Sequence, residues 1–238
     1  MLINKSNLFT PIFLLTGLLV QVVTFVLVPD NPWSLVSGLF GICSVVLCSE
    51  GSILTFFFGF GQIITYTYLC WLERFYAGIA MNCFYFVSQL YGIYVWRRRC
   101  THPAAVTPKA DTEASPAADS SVITSFNNSI IKTRSLSSQL FLLLSVVLVV
   151  SSAATGFMLA RFTDDTQPWF DAFTTVPAIA AQVLMVMAYR QHWYIWFAID
   201  ILYILLWAQA GNACMLMQYV FWTANCIYGY IVWRRRSA

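Results

Sequence analysis

Charged side chains are scarce in this sequence. Of its 238 residues only 10% are Asp, Glu, Lys or Arg, whereas 59% are hydrophobic. A typical soluble domain carries about 25% charged residues, so this chain lacks the polar groups to cover a water-exposed surface. Its apolar residues fall into blocks of about 17 to 23, the length that crosses a hydrocarbon core of roughly 30 Å. The composition therefore excludes an ordinary soluble domain and indicates a membrane protein.

The motifs of familiar enzymes are also absent. The sequence contains no GxxxxGK[ST] phosphate loop, no HExxH zinc motif and no GxSxG nucleophile turn. His102 and His192 fall at or outside the ends of the apolar blocks, and none of the seven cysteines pairs at CxxC spacing. We therefore predict that the protein is not an enzyme and has no catalytic residue, metal site or cofactor. The cysteines are attributed to packing.

The basic residues are distributed as membrane topology requires. The net charge is +3, but no basic stripe is interleaved with aromatic residues, so we expect no nucleic-acid partner. Eleven of the thirteen Lys and Arg residues fall on one side of the predicted bilayer, which places both termini in the cytoplasm. The expected location is a bacterial inner membrane. These eleven are Lys5, Arg97, Arg98, Arg99, Lys109, Lys132, Arg134, Arg190, Arg234, Arg235 and Arg236, while Arg74 and Arg161 lie opposite.

The apolar blocks predict eight membrane-spanning helices. Their predicted bounds are 8–28, 33–48, 52–72, 75–96, 138–160, 171–189, 192–210 and 213–233. The first block is too long for the apolar core of a signal peptide, and no small-residue cleavage site follows it, so we retain it as a helix. Residues 100–137 are rich in Pro, Ala, Ser and Thr, which predicts a flexible cytoplasmic linker.

An internal repeat organises these helices. Tyr91–Arg99 and Tyr228–Arg236 match at seven of nine positions. The shift in numbering that carries Tyr91 onto Tyr228, which we call the repeat offset, also relates the helices that precede these segments. Each repeat contains three helices, which we call a trio. Because three is an odd number, a second trio that followed directly would cross the membrane in the opposite direction. The fifth helix adds one crossing and makes the two trios parallel.

The predicted fold class follows from this repeat. It is all-α: a polytopic membrane protein of eight helices, with a full-length SWEET-like 3+1+3 arrangement of parallel repeats plus one N-terminal helix. The segments are an N-terminal helix (1–30), repeat 1 (31–99), a cytoplasmic linker (100–137), a connecting helix (138–165) and repeat 2 (166–238).

Asp200 is the one ionisable side chain well inside a predicted helix. A charge near the centre of a bilayer costs at least about 2.5–3.5 kcal/mol, so it normally faces a cavity or a partner. Asp200 shares a helical face with Trp193, Trp196, Tyr203 and Trp207. These aromatic neighbours favour a binding role for Asp200. The alternative is a structural carboxyl group that is hydrogen-bonded to a neighbouring helix.

Polar amides and aromatic residues form similar stripes on other predicted helices. Asn82 and Gln89 share a face of the fourth helix, and Gln218 and Asn225 share a face of the eighth. Such amides also join helices to one another, so each of them alone has two interpretations. Together they predict a midplane site for a planar heterocycle, in which indole faces attract a cation and Asp200 supplies the countercharge. The predicted substrate-binding residues are Asn82, Gln89, Gln182, Trp193, Trp196, Asp200, Gln218, Trp222 and Asn225.

The stretch Trp193–Asp200 resembles the WxxWxxx(N/D) signature of the nicotinamide riboside transporter (PnuC) family, and both repeats, 33–96 and 168–236, are similar to that family. The resemblance implies a SWEET-like fold and import of nicotinamide riboside by facilitated diffusion for NAD synthesis, drawn inward by phosphorylation in the cytoplasm. It also implies a homo-oligomer, with a trimer as the expected state. Trp193, Trp196 and Asp200 correspond directly to positions of the motif.

The residues themselves leave the substrate open. Thiamin is a cation as well, so the alternative is a transporter of another vitamin or nucleoside such as thiamin. A membrane-embedded enzyme would need an acid, base or metal cluster within the helices, and a non-transporting assembly protein would turn its polar stripes outward. The expected partners are a small-molecule substrate and the lipid bilayer.

Overall fold

The structure is a computed structural model that describes residues 9–29, 31–72, 76–101, 130–163 and 167–236. Eight helices occupy this part of the chain, as the apolar blocks predicted. Their bounds are α1 Phe9–Leu27, α2 Pro32–Ser49, α3 Leu54–Leu72, α4 Tyr76–Arg99, α5 Ser138–Phe162, α6 Pro168–Val186, α7 His192–Ala210 and α8 Ala213–Arg236. The predicted linker residues 102–129 and the topology residues Lys5 and Arg74 lie outside the described residues.

Local sequence signals set several of the helix ends. The side chain of Asn31 accepts a hydrogen bond from the backbone N–H of Trp33 at 3.0 Å, and Pro32 occupies the first turn of α2, where its missing N–H is not needed. The hydroxyl of Ser137 caps α5 by accepting from the backbone N–H of Leu140. Gly211 ends α7 in the left-handed conformation, with φ of 71°.

The outer surface of the bundle is apolar. Four helices, α1, α2, α5 and α6, are long and hydrophobic enough to cross a membrane, with mean hydropathies between 1.4 and 2.3. On α1 and α5 most side chains point outward, including Leu19 and Val150, which are more than half exposed. A large exposed apolar surface of this kind fits a hydrocarbon environment and not water. The remaining four helices carry most of the aromatic and amide side chains of the interior.

The packing of α2–α4 has a counterpart in the packing of α6–α8. Helix α2 packs on α3 and α3 on α4, as α6 packs on α7 and α7 on α8. The two trios then exchange contacts, because α2 packs against α8 and α4 against α6. Outside the trios, α1 packs on α2 as α5 packs on α6. Helices α1 and α5 therefore each lie beside the first helix of a trio.

The C-terminal ends of α2, α4, α6 and α8 meet at one end of the bundle, which we call the arginine end because Arg97–Arg99 and Arg234–Arg236 lie there. Trp96 and Trp233, both fully buried, lie at the centre of its hydrophobic cluster. The indole N–H of Trp96 donates to the carbonyl of Val186, and that of Trp233 donates to the carbonyls of Cys48 and Ser49, all at 3.1 Å. Each trio thus closes the other at this end.

A segment that we call the strap, residues 130–136, crosses the arginine end. It begins with the short strand β2 (Ile130–Ile131), which pairs antiparallel with β1 (Cys100–Thr101) at the end of α4. The backbone N–H of Ile131 donates to the carbonyl of Gly51 at 3.2 Å, and that of Arg134 donates to the carbonyl of Ala188 at 2.7 Å. The expectation of a flexible linker over 100–137 therefore does not hold for the strap, which is hydrogen-bonded to both trios.

Candidate substrate-binding site

Asp200 lies inside the bundle on α7, with only 2% of its surface exposed. In the described part of the chain, the hydrogen-bond donor to its carboxylate is the thiol of Cys226 on α8, with Sγ 3.5 Å from Oδ2. A thiol is a weak donor, and a buried carboxylate needs a cation or several strong donors to offset its lost hydration. Asp200 therefore has the capacity to accept a further, positively charged partner.

Two tyrosines near this carboxylate belong to a group of aromatic rings from four helices. The rings of Tyr203 on α7 and Tyr219 on α8 are stacked, with centroids 4.7 Å apart and planes inclined by 18°. Tyr219 in turn makes an edge contact with Trp222, at 5.1 Å between centroids, and lies within electrostatic range of Asp200. Trp196 faces Tyr85 of α4, at 6.5 Å. We call the following set the aromatic cluster: Tyr66, Tyr85, Trp196, Tyr203, Tyr219 and Trp222.

Three of the predicted amides are buried with a polar atom that has no partner. They are Asn82, Gln89 and Gln218, with exposures of 4%, 8% and 1%. The atoms without a hydrogen-bond partner among the described residues are the amide nitrogen of Asn82 and the side-chain oxygens of Gln89 and Gln218. A buried polar atom left unpaired costs about 1–3 kcal/mol. The interior therefore presents one donor and two acceptors without a partner among the described residues.

Glycines on α2 and α3 provide the space for these side chains. The amide of Gln89 lies directly against Gly59, where any Cβ atom would collide with it. The ring of Trp222 lies over Gly41, with Cζ2 2.8 Å from the position that a Cβ atom would take. The indole N–H of Trp222 is also buried without a partner in the described chain. Gln89 is thus packed closely on α3 and Trp222 on α2, and each keeps a polar atom without a described partner.

Two other predicted residues use their amides to join helices. Asn225 accepts a hydrogen bond from the hydroxyl of Ser49 and donates to the carbonyl of Val45, both at 3.1 Å, which joins α8 to α2. Gln182 donates to the hydroxyl of Ser88 at 2.8 Å, which joins α6 to α4. These bonds are the interhelical alternative that the sequence left open for each amide.

Trp193 lies apart from the aromatic cluster, at the arginine end. Its ring packs on His192, at 4.3 Å between centroids, and against Trp233 at 5.7 Å. Gly229 makes room for it, since a Cβ atom there would lie 2.5 Å from Cζ2 of Trp193. The indole N–H of Trp193 is buried without a described partner. The structure therefore gives the two tryptophans of the sequence motif different ring neighbours: Trp196 belongs to the aromatic cluster, and Trp193 lies in the closure of the bundle, against which Trp196 also packs.

Tyr219 and Cys226 were missed in the sequence. A usable signal was present, because Tyr219, Trp222 and Cys226 are spaced at i, i+3 and i+7 and so share one face of α8. Tyr219 is adjacent to Gln218, which was a predicted binding residue. Cys226 was predicted to have a packing role only. Tyrosine counts as a hydrophobic residue in a sequence pattern, and for this reason Tyr219 was not predicted to lie near Asp200.

Comparison with known families bears on this geometry. The sequence model of the nicotinamide mononucleotide transporter family matches residues 31–235. The chain belongs to this family. Membership confirms the resemblance found in the sequence, and it identifies a transporter and not an enzyme. Together with the apolar helices, it also makes the chain a multi-pass membrane protein with a small-molecule substrate.

Several members of the nicotinamide mononucleotide transporter family are similar over nearly the whole chain. The nicotinamide riboside transporter PnuC of Neisseria mucosa is 30% identical, over 95% of this chain and 81% of its own length. The protein of the same name from Haemophilus influenzae is 28% identical, over 95% of this chain and 90% of its own. A crystal structure of the vitamin B3 transporter PnuC superposes with a TM-score of 0.77 at 28% identity, and the match covers 97% of this chain and 92% of that one.

Proposed function

We propose that this chain imports nicotinamide riboside across the bacterial inner membrane for NAD synthesis, by facilitated diffusion. One observation carries the proposal: a buried carboxylate, Asp200, lies near the stacked rings of Tyr203 and Tyr219, and its described donor is a thiol. A pyridinium ring is a flat cation, which suits both features. The name shared by the relatives from Neisseria mucosa and Haemophilus influenzae supports the same substrate.

The proposed binding mode assigns a role to each group. The pyridinium ring inserts among the rings of the aromatic cluster, where cation–π attraction contributes about 0.5–2 kcal/mol per ring. Asp200 acts as the countercharge. The ribose hydroxyls and the carboxamide pair with the free atoms of Asn82, Gln89 and Gln218. Trp193, Gln182 and Asn225 remain predicted binding residues whose described contacts are with protein.

The same electrostatics favours a riboside over a mononucleotide. A phosphate monoester carries up to two negative charges and needs basic partners. The described Lys and Arg residues lie at helix ends, in the loop before α7 or in the strap, and the described charge within the bundle is the carboxylate of Asp200. A phosphate beside Asp200 would meet like charge in a buried site. We therefore propose that the substrate enters without its phosphate and is phosphorylated in the cytoplasm.

We further propose that the two trios are SWEET-like parallel repeats that rock about this site. Equivalent contacts at positions related by the repeat offset support the proposal. A Cβ atom on Gly92 would strike Phe56, and one on Gly229 would strike Trp193, the repeat equivalent of Phe56. Positive-inside charge supports a cytoplasmic arginine end and cytoplasmic termini. The trimeric state that the resemblance implies remains part of the proposal.

Uptake by purified protein in liposomes tests the function. Radiolabelled nicotinamide riboside should enter vesicles that contain the protein, with saturation and without an imposed ion or pH gradient. Thiamin and nicotinamide mononucleotide, added in excess, should compete poorly. Riboside flux equal to that of protein-free vesicles would overturn the proposal, and strong competition by thiamin would reassign the substrate. The variant Trp71→Phe, altered at a largely exposed position, serves as the folded control.

A further inference from the structure

A groove opens on the outer face of α8 at the arginine end. Its volume is about 440 Å³, and it is lined by Tyr230, Ile231, Arg234 and Arg235. Tyr230 and Ile231 lie one turn inward from the two arginines on α8. The groove therefore combines positive charge at the end of the helix with aromatic and apolar surface below it.

A tyrosine pair and a third arginine border the groove. The rings of Tyr194 and Tyr230 lie 4.6 Å apart between centroids, and the two hydroxyl groups lie near each other. The guanidinium groups of Arg190 and Arg234 both lie within electrostatic range of the Tyr194 hydroxyl. Two hydroxyls and two guanidinium groups thus converge on one spot, and Arg235 lines the same groove.

This positive charge has no described counterion. The described chain contains three carboxylates: Glu50, Asp171 and Asp200. Glu50 forms an ion pair with Arg236 at 2.9 Å. Asp171 begins α6 at the opposite end of the bundle, and Asp200 lies inside it. Among the described residues, none of these carboxylates lies within ion-pair distance of an arginine at the groove.

The first trio lacks the equivalent groups. Both trios end in an arginine triplet, as topology requires. At the first-trio positions that the repeat offset relates to Tyr194, Tyr230 and Arg190, however, the sequence has Phe57, Ile93 and Ile53. Topology therefore explains the two triplets but not the hydroxyl pair and the extra guanidinium group, which occur beside the second triplet alone.

An apolar track continues from the groove toward the middle of the bundle. Ile227 lies one turn before Ile231 on α8, and Phe197 and Ile201 follow Tyr194 along α7. All four of these apolar side chains are more than a third exposed. A polar, positive head region above an apolar track matches the shape of a phospholipid, whereas a free phosphate ion would use only the upper part.

We propose that this groove binds an anionic phospholipid. The phosphodiester group lies between Arg234 and Arg235, with Tyr194, Tyr230 and Arg190 donating hydrogen bonds around it. One acyl chain follows Ile231 and Ile227 along α8. Basic pockets between helices at a bilayer surface are suited to such head groups, because the charge is attracted where water is partly excluded. The site is specific to the second trio and separate from the transport site.

Native mass spectrometry of the purified protein, titrated with phosphatidylglycerol, tests the site against a matched control. The double variant R234Q/R235Q should lose affinity for phosphatidylglycerol by about thirtyfold, since each arginine near a lipid surface contributes about 1 kcal/mol. The double variant R97Q/R98Q removes the same charge from the equivalent positions of the first trio and should retain wild-type affinity. Phosphatidylcholine should bind weakly to all three proteins.

Three results would overturn the proposal. Equal losses of affinity in both double variants would assign lipid binding to general surface charge. No loss of affinity in either variant would exclude the groove as the lipid site. A second experiment adds inorganic phosphate at millimolar concentration as a competitor. It should fail to displace phosphatidylglycerol, and full displacement would show a site for free anions in place of a lipid site. Thermal unfolding without added lipid verifies that each variant is folded.

Discussion

Trp96 and Trp233 face each other across the arginine end, with ring centroids 6.0 Å apart. They are repeat equivalents in the sequence, and each donates its indole N–H to the end of the first helix in the opposite trio. Their acceptors, the carbonyls of Val186 and Ser49, are related by the same repeat offset. The end of the bundle is therefore closed by two equivalent hydrogen bonds that run in opposite directions between the trios.

Replacing either tryptophan should loosen this closure. Trp96→Phe and Trp233→Phe each remove an indole donor and leave a buried carbonyl unpaired, so we expect each to lower the free energy of unfolding by roughly 1–3 kcal/mol. Thermal unfolding in detergent measures the effect. Trp71→Phe should be close to neutral, because that ring is 67% exposed. Equal melting temperatures for all four proteins would contradict a role for the two indole bonds.

Asp200→Asn should weaken binding of a cationic substrate selectively. Removing the countercharge is expected to raise the KM for nicotinamide riboside by about tenfold or more, since close charge pairs contribute at least about 1.5 kcal/mol. The uncharged dihydropyridine form of the riboside should be affected far less. The KM values for both compounds are measured from uptake kinetics. The variant Cys226→Ala, which keeps the carboxylate, is the control. An equal rise in KM for both compounds would exclude the countercharge role.

Two glycine substitutions should separate stability from transport. Gly92→Ala places a Cβ atom against the buried ring of Phe56, and such overpacking costs about 1–3 kcal/mol. Gly59→Ala meets the flexible end of Gln89 and the hydroxyl of Ser44, so the protein should stay folded while the amide shifts. We expect a lower melting temperature for the first variant and a raised KM for the second. The reverse pattern would place Gln89 outside the transport site.

The fourth prediction concerns the loops that follow α2 and α6 at the arginine end. Gly51 and Ala188, which are repeat equivalents, both have positive φ, 66° and 60°. Gly51→Ala should destabilise by about 1–2 kcal/mol from backbone strain alone, with added crowding of Ile131. Ala188→Gly should change stability by less than about 1 kcal/mol, because relief of strain is offset by loss of a buried methyl group worth about 0.8 kcal/mol. Chemical denaturation compares the two variants.

The sequence predicted the helices well because their length and apolar character depend on the bilayer, which acts on every residue of a span. Tyr76 and Arg236 begin and end helices within a few residues of the predicted bounds. The burial of Asp200 and Gln218 likewise followed from the cost of polar groups in hydrocarbon. These features are consequences of composition along one helix.

Features that depend on two helices were less predictable. The amides of Asn225 and Gln218 have the same chemistry and lie on one face, yet Asn225 is bonded to α2 while the Gln218 oxygen has no described partner. Only the crossing of α2 and α8 decides between them. Ile131 and Thr133 were assigned to a flexible segment because its composition is polar, although both are buried at the arginine end. Their environment comes from helices distant in the sequence.

The strap constrains the order of events at the arginine end. Ile131 is bonded to Gly51 beside the first trio, and three residues later Arg134 is bonded to Ala188 beside the second. A span of three residues cannot stretch far, since an extended chain covers at most about 3.6 Å per residue. Any separation of the two loops must therefore first release one of these attachments. In the proposed rocking of the two trios, opening of this end would start with the loss of one attachment, and the strap would then move with the trio to which it is still bonded.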